Sequence, residues 1–333
     1  MSAPPPGARD DHARLLGVGA YRPRRSVDNS EMCRRIDSTE EWILTRSGIR
    51  SRRFAEDDET LEYMAGEAAG KALAYAGIDG TEVDTVITAS MTNLVQTPPL
   101  AAGVATLTGA NGAAAFDLSA ACAGFCHALE VGSALIRSGS ARNTLVIGVE
   151  RSTDIVAPDD RTVAFLFADG AGAVVLGPGP EPGVGPVVWG SDGEKGDALD
   201  MTRTWPEFVS DPAPGQPVIR MDGRRIFRWV VEGMVDVAHQ ALDKAGVTLD
   251  ELSAFIPHQA NARIIRMLAE RLGLPERVAV ADDIAESGNT CAASVPLAME
   301  RLLAQGRAGR GELALLMGFG AGLGYSAQVV RLP

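Results

Sequence analysis

ALAYAGIDGTEVDTVIT (residues 72–88) and ALDKAGVTLDELSAFIP (residues 241–257) are two versions of one segment, separated by 169 positions (241 − 72 = 169). At this separation six pairs are identical: 72/241, 73/242, 76/245, 77/246, 82/251 and 87/256. Carrying the separation forward places Cys122 on Cys291, and LVIGVE (145–150) matches LLMGFG (315–320) at a separation of 170. Two long repeats predict two similar α/β halves facing each other, because a solenoid needs shorter units in greater number.

Short apolar runs alternate with helix-like stretches along the whole chain, which predicts parallel sheets covered by helices. The predicted strands span residues 85–91, 113–119, 144–150, 171–177, 253–258, 312–320 and 325–332. The predicted helices span residues 61–76, 123–138, 225–245, 261–272 and 294–305. The Pro/Gly-rich GPGPEPGVGP (177–186) marks a boundary between the lobes. We therefore expect a disordered tail over residues 1–14, an N-terminal half over 15–180 and a C-terminal half over 186–333.

Composition excludes several classes of protein. Of the 333 residues 46% are hydrophobic, enough for a substantial core. The chain carries 31 basic and 43 acidic residues, a net charge of −12, which argues against nucleic-acid binding. No apolar run approaches the roughly 20 residues that a membrane span needs. Four cysteines in so long a chain do not make a disulfide framework, so we expect a cytoplasmic protein that binds neither nucleic acid nor membrane.

Cys122 is the first candidate for chemistry. It follows the apolar AAAFDLSAA and precedes the helix-like AGFCHALEVGSALI, which places its sulfur at the N-terminal end of a predicted helix. There the helix dipole and free backbone N–H groups stabilise a thiolate and favour a nucleophile. The alternative is a buried, inert cysteine. Spacing alone leaves both open. Cys126 lies four residues further along the same helix face, but no second ligand pair appears nearby, so we reject a zinc site.

Two polar residues of the second half are candidate partners for this thiol. His258, in IPHQAN, ends a predicted strand, at the sheet edge where open α/β proteins place their sites. Asn289, in ESGNTCAAS, precedes the equivalent helix and can donate a hydrogen bond to a substrate oxygen or simply cap that helix. Cys291, in the same motif, is the rival nucleophile that the repeat suggests. We rank it second, because a duplicated scaffold usually needs one nucleophile.

A glycine-rich bend, GFGAGLG (318–324), joins the last two predicted strands. Its backbone N–H groups can line an oxyanion hole, or the bend can be a close packing turn. It is not a dinucleotide fingerprint, because Leu323 holds the position of the third glycine and a strand follows.

Taken together, these motifs resemble the β-ketoacyl-acyl-carrier-protein synthase III family, the initiating condensing enzymes of bacterial fatty acid synthesis. The resemblance extends from residue 15 to the C-terminus through the motifs DSTEEWILTRSGIRSRR, SAACAGF, DDRTVAFLFADGAGA, PHQANARII, GNTCAAS and GFGAGLGYSA. It implies the thiolase fold, with duplicated βαβαβαββ halves in a five-layered α-β-α-β-α sandwich, and a homodimer.

The same resemblance implies roles for the candidate residues. Cys122 matches the nucleophile that accepts an acyl group from acyl-CoA. His258 and Asn289 match the pair that binds the malonyl thioester carbonyl and stabilises the enolate formed on decarboxylation. The backbone N–H groups of Cys122 and Gly320 would form the oxyanion hole. The implied products are 3-oxoacyl carrier protein, CoA and CO2, formed without any cofactor, since the CoA thioester is itself a substrate.

Other carried-over positions concern the substrates. Trp42 and Arg161 match residues that sandwich the adenine of CoA, and Arg46 matches one that contacts its phosphate end. Arg263 matches the basic residue implicated in docking malonyl-acyl carrier protein. Thr97, in MTNLVQTPPL, falls where acetyl-selective relatives carry a bulky Phe, which predicts a wider acyl pocket.

Two features distinguish this chain from other members of the family it resembles. Cys291 replaces the serine of the usual GNTSAAS motif. The pairing of the Thr97 loop with SAACAGFCHAL is similar to that in synthases that prime aromatic polyketide pathways with non-acetate starters.

Two alternatives to a condensing enzyme are an acyltransferase that passes the acyl group to another acceptor and a non-catalytic partner subunit. The intact motifs around Cys122, His258 and Asn289 argue against both.

Overall fold

The computed structural model describes residues 12–333 and shows fourteen strands and ten α-helices in that range. The strands are β1 (His12–Tyr21), β2 (Arg25–Asp28), β3 (Ser51–Phe54), β4 (Thr85–Ala89), β5 (Ala114–Leu118), β6 (Thr144–Arg151), β7 (Asp169–Gly179), β8 (Val188–Ser191), β9 (Leu199–Met201), β10 (Ile219–Met221), β11 (Ala254–Pro257), β12 (Ala279–Val280), β13 (Leu313–Gly320) and β14 (Gly324–Arg331). The helices are α1 (Asn29–Cys33), α2 (Glu40–Ser47), α3 (Leu61–Ala76), α4 (Leu100–Leu107), α5 (Gly124–Arg137), α6 (Trp205–Ser210), α7 (Gly223–Ala245), α8 (Ala262–Leu272), α9 (Ile284–Ser287) and α10 (Ser294–Ala304). No helix in this range is long and apolar enough to cross a membrane.

The helices of the repeated segment begin and end at recognisable signals. The hydroxyl of Thr60 accepts the N–H of Tyr63 before α3, and the carboxylate of Asp222 accepts two backbone N–H groups before α7. α3 ends at Gly77 (φ 66°) and α7 ends at Gly246 (φ 64°), in the left-handed conformation that favours glycine. Gly77 and Gly246 are equivalent positions of the internal repeat, so the chain turns out of the helix in the same way in both halves.

Two five-stranded sheets form the frame. Their strand orders are β1-β7-β6-β4-β5 and β12-β11-β13-β14-β8. In each sheet the three strands at one end are parallel and the last two pairings are antiparallel. The alternation of strands and helices predicted parallel sheets, and the pairings show that each sheet is mixed. The physical reason is local: no α-helix lies between β6 and β7, or between β13 and β14, and a parallel pairing needs a long crossover.

The helices form three layers around these sheets. α3 and α4 cover the outer face of the first sheet, and α7 packs on the second sheet with α8 against it. α5 and α10 lie between the sheets and contact strands of both. Each half therefore runs βαβαβαββ, as β1-α3-β4-α4-β5-α5-β6-β7 and as β8-α7-β11-α8-β12-α10-β13-β14. This is the duplicated five-layered arrangement that the resemblance implies.

The structural correspondence of the halves corrects one residue pairing. Thr85 of β4 corresponds to Ala254 of β11, but a later equivalent pair, Thr144 of β6 and Ala314 of β13, is separated by 170. The short turns Ala121–Ala123 and Cys291–Ala293, which lead into α5 and α10, also correspond at 170. Because the second half holds one extra residue before its turn, Cys291 is the counterpart of Ala121, and not of Cys122. Both have an unusual positive φ, 45° for Ala121 and 46° for Cys291.

The two sheets divide the chain near the predicted boundary. Strands of the first sheet end at Gly179 and strands of the second begin at Val188. The expected tail over residues 1–14 is wrong for residues 12–14, which begin β1 and pair with β7. Residues 1–11 lie outside the described part of the chain.

Candidate active site

One cavity of about 990 Å³ reaches from the surface to the turn that precedes α5. Cys122, His258, Asn289 and Gly320 line it, and the three side chains among them are almost completely buried. Trp42 and several exposed arginines line its other end. The first half thus supplies the thiol and the second half supplies the imidazole and the carboxamide. The structure brings together the residues that the sequence analysis assigned to one reaction.

Cys122 lies in the turn Ala121–Ala123, directly before the first residue of α5. The pKa of its thiol is held well below the usual range, first by a hydrogen bond from the thiol of Cys291. Burial opposes this shift, while the charge and hydrogen bond of His258 and the backbone N–H of Ala321 add to it. These donors favour the thiolate form of Cys122, which is the form that attacks a thioester.

His258 follows the last residue of β11, at the carboxyl end of the strand. Its Nδ1 lies 2.7 Å from Oγ of Ser294, the first residue of α10, and the same oxygen accepts the N–H of Gln259 at 3.3 Å. With Nδ1 engaged by Ser294, the Nε2 side of the ring faces the cavity and Cys122, to which His258 hydrogen-bonds.

Asn289 follows Gly288 and is held by its neighbours on both sides. Its backbone N–H donates to the carbonyl of Leu166 and its carbonyl accepts from Ala168, both at 2.9 Å. Its Oδ1 accepts the backbone N–H of Cys291 at 2.9 Å. This bond requires an oxygen at that position and so settles the orientation of the amide, leaving the NH2 group for the cavity.

Gly320 ends β13 against the nucleophile. A Cβ at this position would lie 2.6 Å from Cβ of Cys122, 2.9 Å from its sulfur and 3.3 Å from its backbone nitrogen. Its backbone is extended (φ 173°), so the lack of a side chain serves close approach. The backbones of Gly320 and Cys122 are adjacent, as a shared oxyanion hole requires.

The mouth of the cavity is basic although the whole chain carries a net charge of −12. The guanidinium groups of Arg46 and Arg161 each lie 5.8 Å from the ring centre of Trp42, and that of Arg263 lies 5.9 Å from the ring of Phe227. The arginines that line the cavity are Arg46, Arg161, Arg224, Arg228 and Arg263. This concentration of positive charge suits a phosphorylated substrate.

Sequence reasoning missed several residues of this site. Ser294 was not singled out, although it is the last residue of the quoted GNTCAAS motif. Arg224 and Arg228 were missed because they lie on α7 among other charged residues, and only the fold turns them toward the cavity. Contact between Cys122 and Cys291 was also missed, since no spacing rule predicts it.

Thr97 does not line this cavity within one chain. It is exposed, in the segment between β4 and α4.

Among residues 12–333 no three His, Cys, Asp or Glu side chains are grouped to hold a metal ion. Burial raises the pKa of Cys126, on α5, to about 12, so this thiol stays protonated.

Similarity to known proteins is high over the whole chain. It is 53% identical over 321 residues to the beta-ketoacyl-[acyl-carrier-protein] synthase III of Streptomyces lividans, which covers 96% of this chain and 95% of that protein. The chain belongs to the β-ketoacyl-[acyl-carrier-protein] synthase III family. The family model described as 3-oxoacyl-[acyl-carrier-protein (ACP)] synthase III matches residues 116–193, and the model of its C-terminal part matches residues 242–332.

Solved structures of family members share the fold. The priming β-ketosynthase from the R1128 polyketide biosynthetic pathway has a TM-score of 0.97 and 51% identity, covering 100% of this chain and 99% of that one. The 3-oxoacyl-[acyl-carrier-protein] synthase III of Aquifex aeolicus has a TM-score of 0.88 and 39% identity, covering 96% and 99%. The thiolase fold predicted from the motifs is confirmed.

Proposed function

We propose that this chain is a condensing enzyme that moves a short acyl group from acyl-CoA to Cys122 and joins it to malonyl-acyl carrier protein. The products are 3-oxoacyl carrier protein, CoA and CO2. One observation carries the proposal: a thiolate, an imidazole and a carboxamide converge at the closed end of one cavity whose mouth is lined with arginines.

The first half-reaction uses the thiolate. Cys122 attacks the thioester carbonyl, and the negative charge on the carbonyl oxygen is met by the backbone N–H groups of Cys122 and Gly320. CoA then leaves as its thiolate. Thioester exchange conserves the activated acyl group, so the step needs no ATP and no cofactor. We expect ping-pong kinetics from the acyl-enzyme.

The second half-reaction uses the imidazole and the amide. Nε2–H of His258 and the NH2 group of Asn289 donate to the malonyl thioester oxygen, where charge develops as CO2 departs. Each such donor is typically worth about 3–4 kcal/mol of barrier. The enolate carbon then attacks the acyl carbonyl on Cys122, and the thiolate is released.

Intact-mass analysis after incubation with acyl-CoA tests the nucleophile. We expect an acyl adduct on the wild type and on Cys291→Ala, and none on Cys122→Ala. His258→Ala and Asn289→Ala should still acquire the adduct but fail to decarboxylate malonyl-acyl carrier protein. An adduct on Cys122→Ala that is absent from Cys291→Ala would reverse the choice of thiol. Full condensation by the His258 or Asn289 variant would refute their roles.

We assign the docking of acyl-CoA and of malonyl-acyl carrier protein to the mouth of the cavity. Trp42 and Arg161 would sandwich adenine, Arg46 would contact the phosphates of CoA, and Arg263 would attract the acidic carrier protein. Arg263→Glu should raise the KM for malonyl-acyl carrier protein at least tenfold, since it reverses a charge at the mouth. Arg266→Glu is the matched control, because Arg266 is exposed on the same helix and does not line the cavity. Equal effects of both changes would remove Arg263 from this role.

A homodimer explains both Thr97 and an unpaired sheet edge. β5 is the last strand of its sheet, and Phe116 on it is 37% exposed. Leu94 and Val95, beside Thr97 in sequence, are 48% and 60% exposed. Exposed apolar edge strands in native proteins are normally paired or covered. Pairing of β5 with a second copy would cover this surface and let Thr97 face the acyl pocket of the partner subunit.

The small side chain of Thr97 supports a non-acetate starter, as does the likeness to a priming β-ketosynthase of a polyketide pathway. Comparing turnover of acetyl-, propionyl- and isobutyryl-CoA tests this starter preference, and a strong preference for acetyl-CoA would overturn it.

All four cysteines are unpaired, which supports a reducing cytoplasmic location.

A further inference from the structure

Two cysteines lie side by side at the closed end of the cavity. Cys122 and Cys291 belong to one buried cluster, and each thiol shifts the pKa of the other, down for Cys122 and up for Cys291. Cys122 lines the cavity, whereas Cys291 lies behind it and is completely buried. The turns that carry the two residues, Ala121–Ala123 and Cys291–Ala293, pack against each other. A small molecule in the cavity therefore meets Cys122 first, with Cys291 in reach of it.

The two sulfurs differ in protonation. Burial, followed by the hydrogen bond to Cys122 and the charge of Cys122, raises the pKa of Cys291 well above its usual range. The same hydrogen bond lowers the pKa of Cys122. The charge of Glu150 acts in the same direction, and Oγ of Ser152 lies 3.7 Å from the Cys291 sulfur. The opposite shifts favour a thiolate at Cys122 next to a thiol at Cys291, which is the arrangement of a reactive and a resolving cysteine.

We propose that Cys122 and Cys291 form a peroxide-reactive dithiol site, in which Cys291 captures the oxidised nucleophile as a disulfide. The proposal rests on Cys122 being the thiolate nucleophile of the proposed function. It assigns to Cys291 a task distinct from acyl transfer: protecting the active-site sulfur from irreversible oxidation.

The chemistry balances with hydrogen peroxide as the oxidant. The Cys122 thiolate attacks one oxygen, forms an S–O bond and releases hydroxide, which gives a sulfenic acid. The sulfur of Cys291 then attacks the Cys122 sulfur, the S–O bond breaks, and the departing hydroxide takes the Cys291 proton to leave as water. The new S–S bond draws the two sulfurs to about 2.05 Å. A dithiol reductant restores both thiols by exchange and is itself oxidised.

The disulfide and the over-oxidised nucleophile differ in whether activity can be recovered. The disulfide removes the nucleophile, so acylation stops but is recoverable. Without Cys291 the sulfenic acid loses its neighbouring thiol, because Cys126 and Cys33 both lie outside the cavity lining. A second peroxide then converts the sulfenic acid to sulfinic acid, which a dithiol does not reduce.

The test compares the wild type with Cys291→Ser and with Cys33→Ser as the matched control. Reduced protein is treated with hydrogen peroxide, free thiols are alkylated, and the unreduced chain is cut with chymotrypsin, which cleaves after Phe125 and so separates Cys122 from Cys126. Acylation by acyl-CoA is measured before treatment, after treatment and after dithiothreitol.

For the wild type and Cys33→Ser we expect linked Cys122 and Cys291 peptides, lighter by two hydrogen atoms than their sum, and full recovery of acylation by dithiothreitol. Cys291→Ser should instead gain two oxygen atoms on the Cys122 peptide and lose acylation permanently. Sulfinic acid on Cys122 of the wild type, formed as fast as in Cys291→Ser, would overturn the proposal. Failure of untreated wild type to acylate Cys122 would instead contradict the proposed function, so the two failures are distinguishable.

Discussion

The nucleophile depends on a neighbour that has no side chain. Any Cβ at Gly320 would lie 2.6 Å from Cβ of Cys122 and 2.9 Å from its sulfur, closer than packed atoms allow. Gly320→Ala should therefore displace the thiol and its oxyanion donors. Since misplacing a reacting group by about 1 Å can cost roughly 100-fold, we expect the acylation rate to fall about 100-fold. Stopped-flow measurement of CoA release reports that rate.

Gly324→Ala provides the control at the other end of the same bend. Its φ is −100°, which any residue adopts, and an added Cβ meets nothing closer than the Ala321 carbonyl at 3.6 Å. This variant should acylate at nearly the wild-type rate. Comparable losses in both variants would show that the bend tolerates no added methyl group, and that Gly320 has no particular relation to the thiol.

Ser294 positions the imidazole through its hydroxyl. Ser294→Ala removes the hydrogen bond between Oγ and Nδ1 of His258, so the ring loses the contact that holds its orientation. We expect malonyl decarboxylation to slow about tenfold, the equivalent of one hydrogen bond of roughly 1.4 kcal/mol, with acylation unchanged. Ser294→Thr, which keeps the hydroxyl, should restore the rate and the pH profile. Equal loss in the Ala and Thr variants, at unchanged melting temperature, would contradict a role of the hydroxyl.

At the scale of elements, the duplicated frame and the additions to it have separate tasks. The segments leading into α5 and α10 and the carboxyl end of β11 belong to the repeat, and they carry Cys122, Asn289 and His258. The cavity walls combine α7 and α8 of the repeat with elements outside it. Among the latter, α2 carries Trp42 and Arg46, and the β9–β10 pair contributes Leu199 and Met221. The frame therefore places the reacting groups, and the additions complete the substrate channel.

The edge strand β5 offers a prediction about assembly. Phe116→Lys places a charge on the exposed edge, where it would be buried by pairing with a second copy. We expect the variant to sediment as a monomer where the wild type sediments as a dimer. Val209→Lys on α6 is the control, because Val209 is an exposed apolar residue (76%) away from this edge. A wild-type monomer, or a dimer unaffected by Phe116→Lys, would refute the β5 interface.

For the whole molecule, one buried carboxyl joins the two halves. Glu150 of β6 accepts hydrogen bonds from Oγ1 of Thr92 at 2.7 Å, from the N–H of Met91 at 3.2 Å and from the N–H of Ala292 at 3.4 Å. Burial raises its pKa to about 8, and the charge of Cys122 adds to the shift. Between its ordinary pKa of 4.5 and 8, the folded chain holds a proton that the unfolded chain has released.

This difference makes stability depend on pH. Because the native state binds the extra proton, the contribution of Glu150 to the free energy of unfolding is greatest at low pH and falls as pH rises to about 8, by at most about 1.4 kcal/mol per pH unit. Asp169, whose pKa burial raises to about 6, has the same sign at lower pH. Urea unfolding between pH 6 and 8 should therefore show a decline that is smaller in Glu150→Gln. An equal decline of the free energy of unfolding in the wild type and in Glu150→Gln would show that Glu150 is not its source.

Some elements were predictable because their signals are local. α3 spans Leu61–Ala76 as predicted, since its apolar spacing and the following Gly77 lie within one stretch of chain. β1 was missed. Its glycines at 17 and 19 weaken the strand pattern, yet Cβ atoms there would lie 2.3 Å and 2.2 Å from backbone oxygens of α3. Only the packing of that helix on β1 explains the glycines.

Local patterns in the sequence predicted the duplication, the alternation of strands and helices, and the positions of Cys122, His258 and Asn289 at element ends, because periodicity and capping act over a few residues. Only the folded chain shows which strands run antiparallel, that Cys291 corresponds to Ala121, and that the pKa values of Cys122 and Cys291 are shifted in opposite directions. The two cysteines are 169 positions apart (291 − 122 = 169), so their proximity and the loss of water around their sulfurs are encoded by no local pattern.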